Sequence, residues 1–561
     1  MAGWEDKAPS AGKEGSEAFE HSREVAWGSF WGIIGTIALK LVSFAYAIYI
    51  ARAFSQEVIG LFYLSLSVIG LLCIWRDLGL PASLTRYIPF FESRRDWGRA
   101  MGLLKVSYVT NAAIGILLFF VIFLLAGPLG EIYNNAGLAE GLRLLAAYIV
   151  LENLLKVSTS YLQGRGDIKS CQFIGNVQNI TKLVLTVALF SFFGATLATL
   201  SAAFVLSFLV TVLASTPIVL RNVSAIPTKW KGELSMNELT HDILPFGITL
   251  MFVQSLWAFF SSTDRVLLGY LGNPATSIET VAVYSIATQL ALTIMVFPGA
   301  LGSIFLPVVS RLAGKNDYAA MRQVIQTSQR WMFFITIPIA LATMAFAGEM
   351  LSAFYGSSYR SGGTAMAIFI MGIMFSIIAY PVALALAAMR LVRLELYVAV
   401  VAAVANIIIN LLLIPILGME GAALASAAAF LLSSWMFERY GRQYISYSTP
   451  SGVYKLFAAG AVAFALIIFL KPFAASAAAA IPAIGTGEIS GYAAKFAYLA
   501  LLAVMGCIGM VFFGLVALAL RSFKPEDIVL LRAACRKARV PPQLVSLAER
   551  IASHGVEGKA A

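Results

Sequence analysis

The sequence predicts an all-α integral membrane protein of about fourteen transmembrane helices. Three observations lead there. Sixty per cent of the 561 residues are apolar and 12% are charged, against roughly 45–50% and 25% in soluble domains. The apolar residues fall in runs of roughly 20, the length a helix needs to cross about 30 Å of hydrocarbon at 1.5 Å per residue. Lys and Arg alternate between the connections, dense after even-numbered runs and sparse after odd-numbered ones.

Breaks at charged and Pro/Gly-containing segments place spans at 27–50, 58–80, 103–126, 139–162, 171–193, 195–220, 243–263, 280–302, 329–348, 363–386, 396–416, 420–437, 456–475 and 493–520. Loops after even-numbered spans hold 19 basic residues, from Arg86 and Arg94 through Arg165, Arg221, Arg322 and Arg390 to Lys455. Loops after odd-numbered spans hold five: Arg52, Arg265, Arg360, Lys471 and Lys495. Because basic residues concentrate in short cytoplasmic loops, this predicts a multi-pass protein of the cell (plasma) membrane with both termini cytoplasmic. The net charge of +11 then reads as a cytoplasmic rim facing anionic membrane lipids, with no nucleic-acid partner. Residues 1–26 lack the basic start and small-residue cleavage site of a signal peptide, which predicts a retained N-terminus. Cys73, Cys171, Cys507 and Cys535 are scattered and read as core thiols, neither a disulfide framework nor a metal site.

An internal echo divides the spans. Asn179 to Thr199 aligns without a gap on Asn406 to Ser426, an offset of 227, pairing Asn179-Ile180 with Asn406-Ile407 and the Gly194 run with the Gly421 run. Pro89 and Asp96 echo Pro307 and Asp317. Two six-helix lobes follow, 27–220 and 243–440, sharing one orientation because six is even, with a cytoplasmic inter-lobe loop at 221–242. Spans 13 and 14 (441–520) form an appended pair, and 521–561 a basic cytoplasmic tail whose Arg532, Arg536, Lys537 and Arg539 lie beside apolar residues, in either an interfacial amphipathic helix or a solvated one. In parallel-repeat transporters substrate binds between the halves.

Chemistry is sparse. No G-x-x-x-x-G-K-S/T loop is present, no connection is long enough for a catalytic domain, and no span contains any of the three histidines. The sequence therefore reads as non-enzymatic, with no cofactor and no metal site. What remains is charge inside spans. Lys40 lies near the middle of span 1, where a lysine costs about 2.5–3.5 kcal/mol on insertion scales. Lys182 takes the corresponding depth in span 5, with Gln178 and Asn179 on the same face. Lys156 in span 4 has Glu152 four residues before it, and an intrahelical ion pair is as good a reading as a substrate role. Arg76 and Asp77 end span 2, and Asp264 and Arg265 end span 7; an interfacial ion pair competes with function at both. Asn406 and Asn410 share a face of span 11, as polar glue or as sugar contacts; Gln254 and Gln289 stay equally open. All three buried lysines belong to the first lobe, so one wall of the expected cavity is basic and suits phosphate, pyrophosphate or acidic sugars.

Ala51-Arg52 with Gly60-Leu61-Phe62-Tyr63, then Asp77-Leu78-Gly79-Leu80 with Arg86 and Pro89, resemble the polysaccharide-biosynthesis flippases of the Wzx type, in the superfamily of the MATE drug exporters and lipid II flippases. The resemblance continues through Asp264-Arg265-Val266-Leu267-Leu268-Gly269, Val283-Tyr284-Ser285-Ile286-Ala287, Phe354-Tyr355-Gly356 with Tyr359, and Asn410-Leu411-Leu412-Leu413-Ile414-Pro415 before Gly421-Ala422-Ala423. It implies a MATE-like pair of lobes, alternating access, and a polyprenyl-phosphate- or pyrophosphate-linked oligosaccharide moved outward for surface polysaccharide or glycan assembly, with room for a coupling ion. No fixed family motif covers Lys40, Lys156 and Lys182. Two alternatives stay open: a cation-coupled multidrug exporter of the same fold, for which Glu152 is the acidic candidate, and a membrane glycosyltransferase or polymerase, for which no acidic catalytic loop is evident.

Overall fold

The computed structural model describes residues 38–226, 234–479 and 488–522. Residues 1–26, Lys229, Lys231 and the basic tail with Cys535 lie outside the described residues. Every regular element among the described residues is helical. Nine helices there are long and apolar enough to cross a membrane, and a bent pair makes a tenth candidate. Of the predicted core thiols, Cys73 is buried, Cys171 is half-buried and Cys507 is exposed on its helix.

The chain forms two compact units, Met1–Ala47 with Trp75–Met251, and Ile48–Ile74 with Phe252–Ala561. The first holds the start of helix α1 (38–53), then α3 (Leu80–Ser93), α4 (Trp97–Ile132), α5 (Ala136–Leu145), α6 (Tyr148–Gly164), α7 (Ile168–Phe193) and α8 (Leu197–Ser224). A short α9 (Met236–Glu238) and a π turn lead into the first residues of α10 (Leu244–Leu271). Leu84, Ile88 and Phe91 of α3 pack with Leu103 of α4 and with Val157 and Tyr161 of α6 in a buried apolar cluster.

The second unit contains α2 (Gln56–Leu72), most of α10, α11 (Ser277–Ala291), α12 (Val296–Gly314), α13 (Tyr318–Ala345), α14 (Ala347–Tyr355), α15 (Gly363–Ala388), α16 (Val392–Leu417), α17 (Met419–Ile445), α18 (Ser451–Ala479) and α19 (Glu488–Ala519). Helix α2 thus groups with chain from 252 onward. Its Gly60 is the reason it can: a Cβ there would lie 2.0 Å from the carbonyl oxygen of Ile278 at the start of α11.

Several expected spans are broken. Span 2, expected over 58–80, is helical only as α2 to Leu72, and α3 forms in the segment expected as a loop; between them, at residues 73–79, Leu78 and Gly79 both have positive φ and the Asp77 carboxylate accepts the Gly79 N–H at 2.9 Å. That side-chain-to-backbone bond shapes the turn that leads into α3, whose N-cap is Gly79; Pro81 then suits the first turn of α3. Span 9 becomes α13 and α14, bent by 74° at Phe346. The Asp96 and Asp317 echo has a local cause: each caps a helix by accepting a backbone N–H three residues on, and each follows a residue with positive φ, Arg95 and Asn316.

The last two helices pack against the rest of their unit. Ile467 of α18 and Leu502 and Met505 of α19 bury Ala345 and Phe346 at the bend. The Lys471 ammonium donates to the Ala345 carbonyl at 2.7 Å and pairs with Glu349 at 2.9 Å.

Candidate functional site

Among the described residues, several clusters of buried and half-buried polar side chains lie within each unit, and four of them contain residues that the sequence singles out. In the first unit, Asn179 and Lys182, one turn apart on α7, face α1. The Asn179 carboxamide oxygen accepts the Ser43 hydroxyl at 2.9 Å and the Lys182 ammonium at 3.2 Å, and that ammonium sits 4.4 Å from the Tyr46 ring centroid. An amide oxygen and an aromatic face stabilise a cation without cancelling its charge. Lys182 makes no ion pair among the described residues. Lys40 is exposed, one turn before Ser43 on α1, and joins neither cluster.

The second cluster sits at the break between α2 and α3. Arg76 pairs with Glu152 at 2.5 Å, and Asp77 pairs with Lys156. Glu152 and Lys156 are therefore not partners along α6, the intrahelical pair that their i,i+4 spacing left open as one of two readings. Each reaches a neighbour in the turn, so two consecutive residues of opposite charge are held by two residues of opposite charge one helical turn apart. Asn153, fully buried between them in sequence, donates to the carbonyls of Arg76 at 3.0 Å and Asn111 at 3.3 Å. Gly79 completes the corner: a Cβ there would come within 1.9 Å of the carbonyl carbon of Gly247 on α10.

In the second unit, Asp264 of α10 is fully buried. One carboxylate oxygen accepts the amides of Asn410 at 2.8 Å and Asn406 at 3.1 Å; the other accepts the hydroxyls of Tyr284 and Ser426, both at 2.6 Å. Four helices, α10, α11, α16 and α17, thus converge on one carboxylate. Charge-assisted hydrogen bonds of this kind are what make a buried carboxylate tolerable. Arg265, the next residue, faces elsewhere: its guanidinium lies 5.7 Å from the ring centroid of Tyr63 on α2, and the Tyr63 hydroxyl donates to Gln289 of α11 at 2.9 Å. The two residues are not the ion pair that adjacency offered as one reading.

The structure thus gathers Lys182 with Asn179, Arg76 and Asp77 with Glu152 and Lys156, and Asp264 with Asn410, leaving Lys40 apart. Ser43, Tyr46, Tyr63, Tyr284 and Ser426 were not singled out as site residues. Ser426 carries a signal through the internal echo, and Tyr63 and Tyr284 through the motifs of the family resemblance; Ser43 and Tyr46 are ordinary residues for a transmembrane helix. The side chain of Gln254 lies outside the described residues. No group of three or more His, Cys, Asp or Glu is placed to hold a metal among the described residues.

Comparison with known proteins gives these clusters a setting. The polysaccharide biosynthesis protein family matches residues 25–313, just over half of the chain, and the MatE family matches 249–412. The probable low-salt glycan biosynthesis flippase Agl15 of Haloferax volcanii is 22% identical over 402 residues, spanning 71% of this chain and 79% of that protein. Lipid II flippase MurJ of Bacillus subtilis is 19% identical over 446 residues, spanning 73% and 81%. Among solved structures, lipid II flippase MurJ in an inward closed conformation superposes with a TM-score of 0.64 at 13% identity, covering 86% of this chain and 97% of that one. An inward-facing multidrug resistance MATE transporter of the MOP superfamily gives 0.60 at 16% identity, covering 73% and 94%. At these identities the structural likeness speaks to the fold, which is that of MurJ and the MATE transporters. With more than half of its length matched by one family, the chain belongs to the polysaccharide biosynthesis protein family.

Proposed function

We propose that this protein is a flippase that carries a polyprenyl-phosphate- or pyrophosphate-linked oligosaccharide across the cell membrane by alternating access. The observation that carries the reading is Lys182, a lysine within a membrane-spanning helix, held by Asn179 and Tyr46 and left without a carboxylate. A cation kept in a span at a cost of about 2.5–3.5 kcal/mol, in a family whose relatives include glycan and lipid II flippases, suits an anionic cargo. Lys40, on the same face of α1 as Ser43, adds a second positive charge to the proposed route.

The reading assigns the coupling charge to Asp264. Its neighbours Asn406, Asn410, Tyr284 and Ser426 can each also present an oxygen, the amides by a flip of their planes. A carboxylate among four such groups suits exchange of a proton or a hard cation. Against the drug-exporter reading stands the engagement of Glu152, its acidic candidate, with Arg76.

Deleting the protein tests the proposal. A lipid-linked oligosaccharide should accumulate in the cytoplasmic leaflet, and its export should return with the wild-type chain and with Lys182→Arg but not with Lys182→Glu. Full export by folded Lys182→Glu would overturn the role of Lys182, and absence of any accumulating lipid-linked glycan would overturn the flippase reading.

A further inference from the structure

The strongest unexplained group lies beside the Asp264 cluster. Arg265 makes no ion pair and no hydrogen bond among the described residues, and its Nε is buried without a partner. The nearest carboxylate, that of Asp264 one residue before, is saturated by four donors from α11, α16 and α17. What Arg265 has is a platform: the Tyr63 ring under its guanidinium, which stabilises the charge without using its N–H groups. Beyond that ring, Gln289 accepts the Tyr63 hydroxyl through Oε1 and keeps its own amide N–H groups free of any hydrogen bond among the described residues. Further round, Tyr359 is 1% exposed and its hydroxyl also lacks a hydrogen bond, within electrostatic reach of Tyr63.

Buried donors in native proteins are nearly always satisfied, and one that is not points to a missing acceptor. Here the buried unsatisfied donors belong to a guanidinium and a phenol, with a free carboxamide beside them round one tyrosine, and the acid within electrostatic reach of the guanidinium, Asp264, already accepts four hydrogen bonds. A guanidinium fork with free N–H edges matches a carboxylate or a phosphate bidentately. A tyrosine face and a carboxamide beside it suit the ring and hydroxyls of a sugar.

We infer that Arg265, Tyr63 and Gln289 form an oxyanion subsite in the second unit that holds an acidic group of the transported molecule. The inference rests on the flippase reading and deepens it: the cargo meets a fixed positive charge in the second unit as well as Lys182 in the first. The oxyanion has two sources in such a cargo, the phosphate of the lipid linkage or the carboxylate of an acidic sugar.

The full chain in phosphatidylcholine nanodiscs is titrated with farnesyl pyrophosphate and with methyl glucuronide, using farnesol and methyl glucoside as uncharged counterparts. One charged probe should bind at least tenfold more tightly than its counterpart, and which one does so identifies the source. Arg265→Gln should erase that preference, Arg265→Lys should keep part of it, and Tyr63→Leu should weaken it. Because a guanidinium whose buried Nε lacks an acceptor serves the ligand rather than the fold, Arg265→Gln should leave the melting temperature without ligand unchanged or raised. The inference fails if neither charged probe is preferred, if Arg265→Gln keeps the preference, or if Arg265→Gln melts lower without ligand and Arg265→Lys restores it, the mark of a structural role. Loss of probe preference with fully retained glycan export in Arg265→Gln would also sink the inference while leaving the flippase reading standing; the accumulation test on the deletion decides that reading by itself.

Discussion

Lys156 of α6 is paired with Asp77 in the turn between α2 and α3, and Glu152, four residues before it on α6, is paired with Arg76. The Asp77 carboxylate is almost wholly buried while the Lys156 side chain is 33% exposed. Removing the lysine strands a buried negative charge. Breaking a buried pair costs about 3–5 kcal/mol, and partial exposure reduces this, so Lys156→Ala should destabilise the protein by about 2–3 kcal/mol. In a double-mutant cycle read by thermal unfolding, Lys156 should couple to Asp77 and not to Glu152. Equal coupling to both would refute the crossed pairing.

Two glycines with nearly the same backbone angle should respond very differently to alanine. Gly79 and Gly166 have φ of +72° and +76°. A Cβ on Gly166 meets nothing within 4 Å, whereas one on Gly79 would overlap the backbone of Gly247. Gly166→Ala should cost only the left-handed strain of about 1–2 kcal/mol; Gly79→Ala should prevent accumulation of folded protein in the membrane. Fluorescence-detected size exclusion of tagged variants separates the two outcomes.

Ser426 and Asp264 give a graded pair. Ser426→Ala deletes one hydrogen bond to a charged group, about 1.5–3 kcal/mol. Asp264→Ala leaves Asn406, Asn410, Tyr284 and Ser426 without their shared acceptor and should cost about 3–5 kcal/mol. If Asp264 carries the coupling charge, export by Ser426→Ala keeps its dependence on a cation gradient and export by Asp264→Asn loses it. Unfolding midpoints and gradient-dependent export in vesicles are the measurements; unchanged gradient dependence in Asp264→Asn rules out that role.

Single cysteines in a background lacking Cys73, Cys171, Cys507 and Cys535 test the orientation read from positive charge. Residue 360, whose arginine side chain is 69% exposed, should label with a membrane-impermeant maleimide added outside intact cells. Residue 94, also exposed, should label only after permeabilisation. The reverse pattern would invert the topology.

Composition and the length of the apolar runs carried the helical, membrane-spanning class, because the length and polarity of each run state the solvent directly. The clusters were legible where their members share a helix: Asn179 with Lys182, and Asn406 with Asn410. They were not legible where a second helix supplies the partner. Glu152 and Lys156 sit at spacing that favours an intrahelical pair, but the Asp77–Gly79 turn brings two opposite charges to them, and tertiary pairing wins over the local one. Ser43 carries no mark in sequence that it meets Asn179. The ungapped echo from 179 to 199 also hides a shift of register. Helix α7 ends at Gly194 with φ of +75°, while α16 ends at Gly418 and Gly421 lies inside α17. The shared small residues reflect close helix packing as much as equivalent turns.

Lys471 has a bearing on how this chain can be cut and recombined. Because it neutralises Glu349 and satisfies the carbonyl at the Phe346 bend, the last two helices complete the fold of their neighbours instead of hanging from them. A chain shortened to its first twelve predicted spans would expose a carboxylate, a bare carbonyl and an apolar patch at once. Any exchange that removes α18 and α19 therefore has to move residues 345–349 with them, as one block that is discontinuous in sequence.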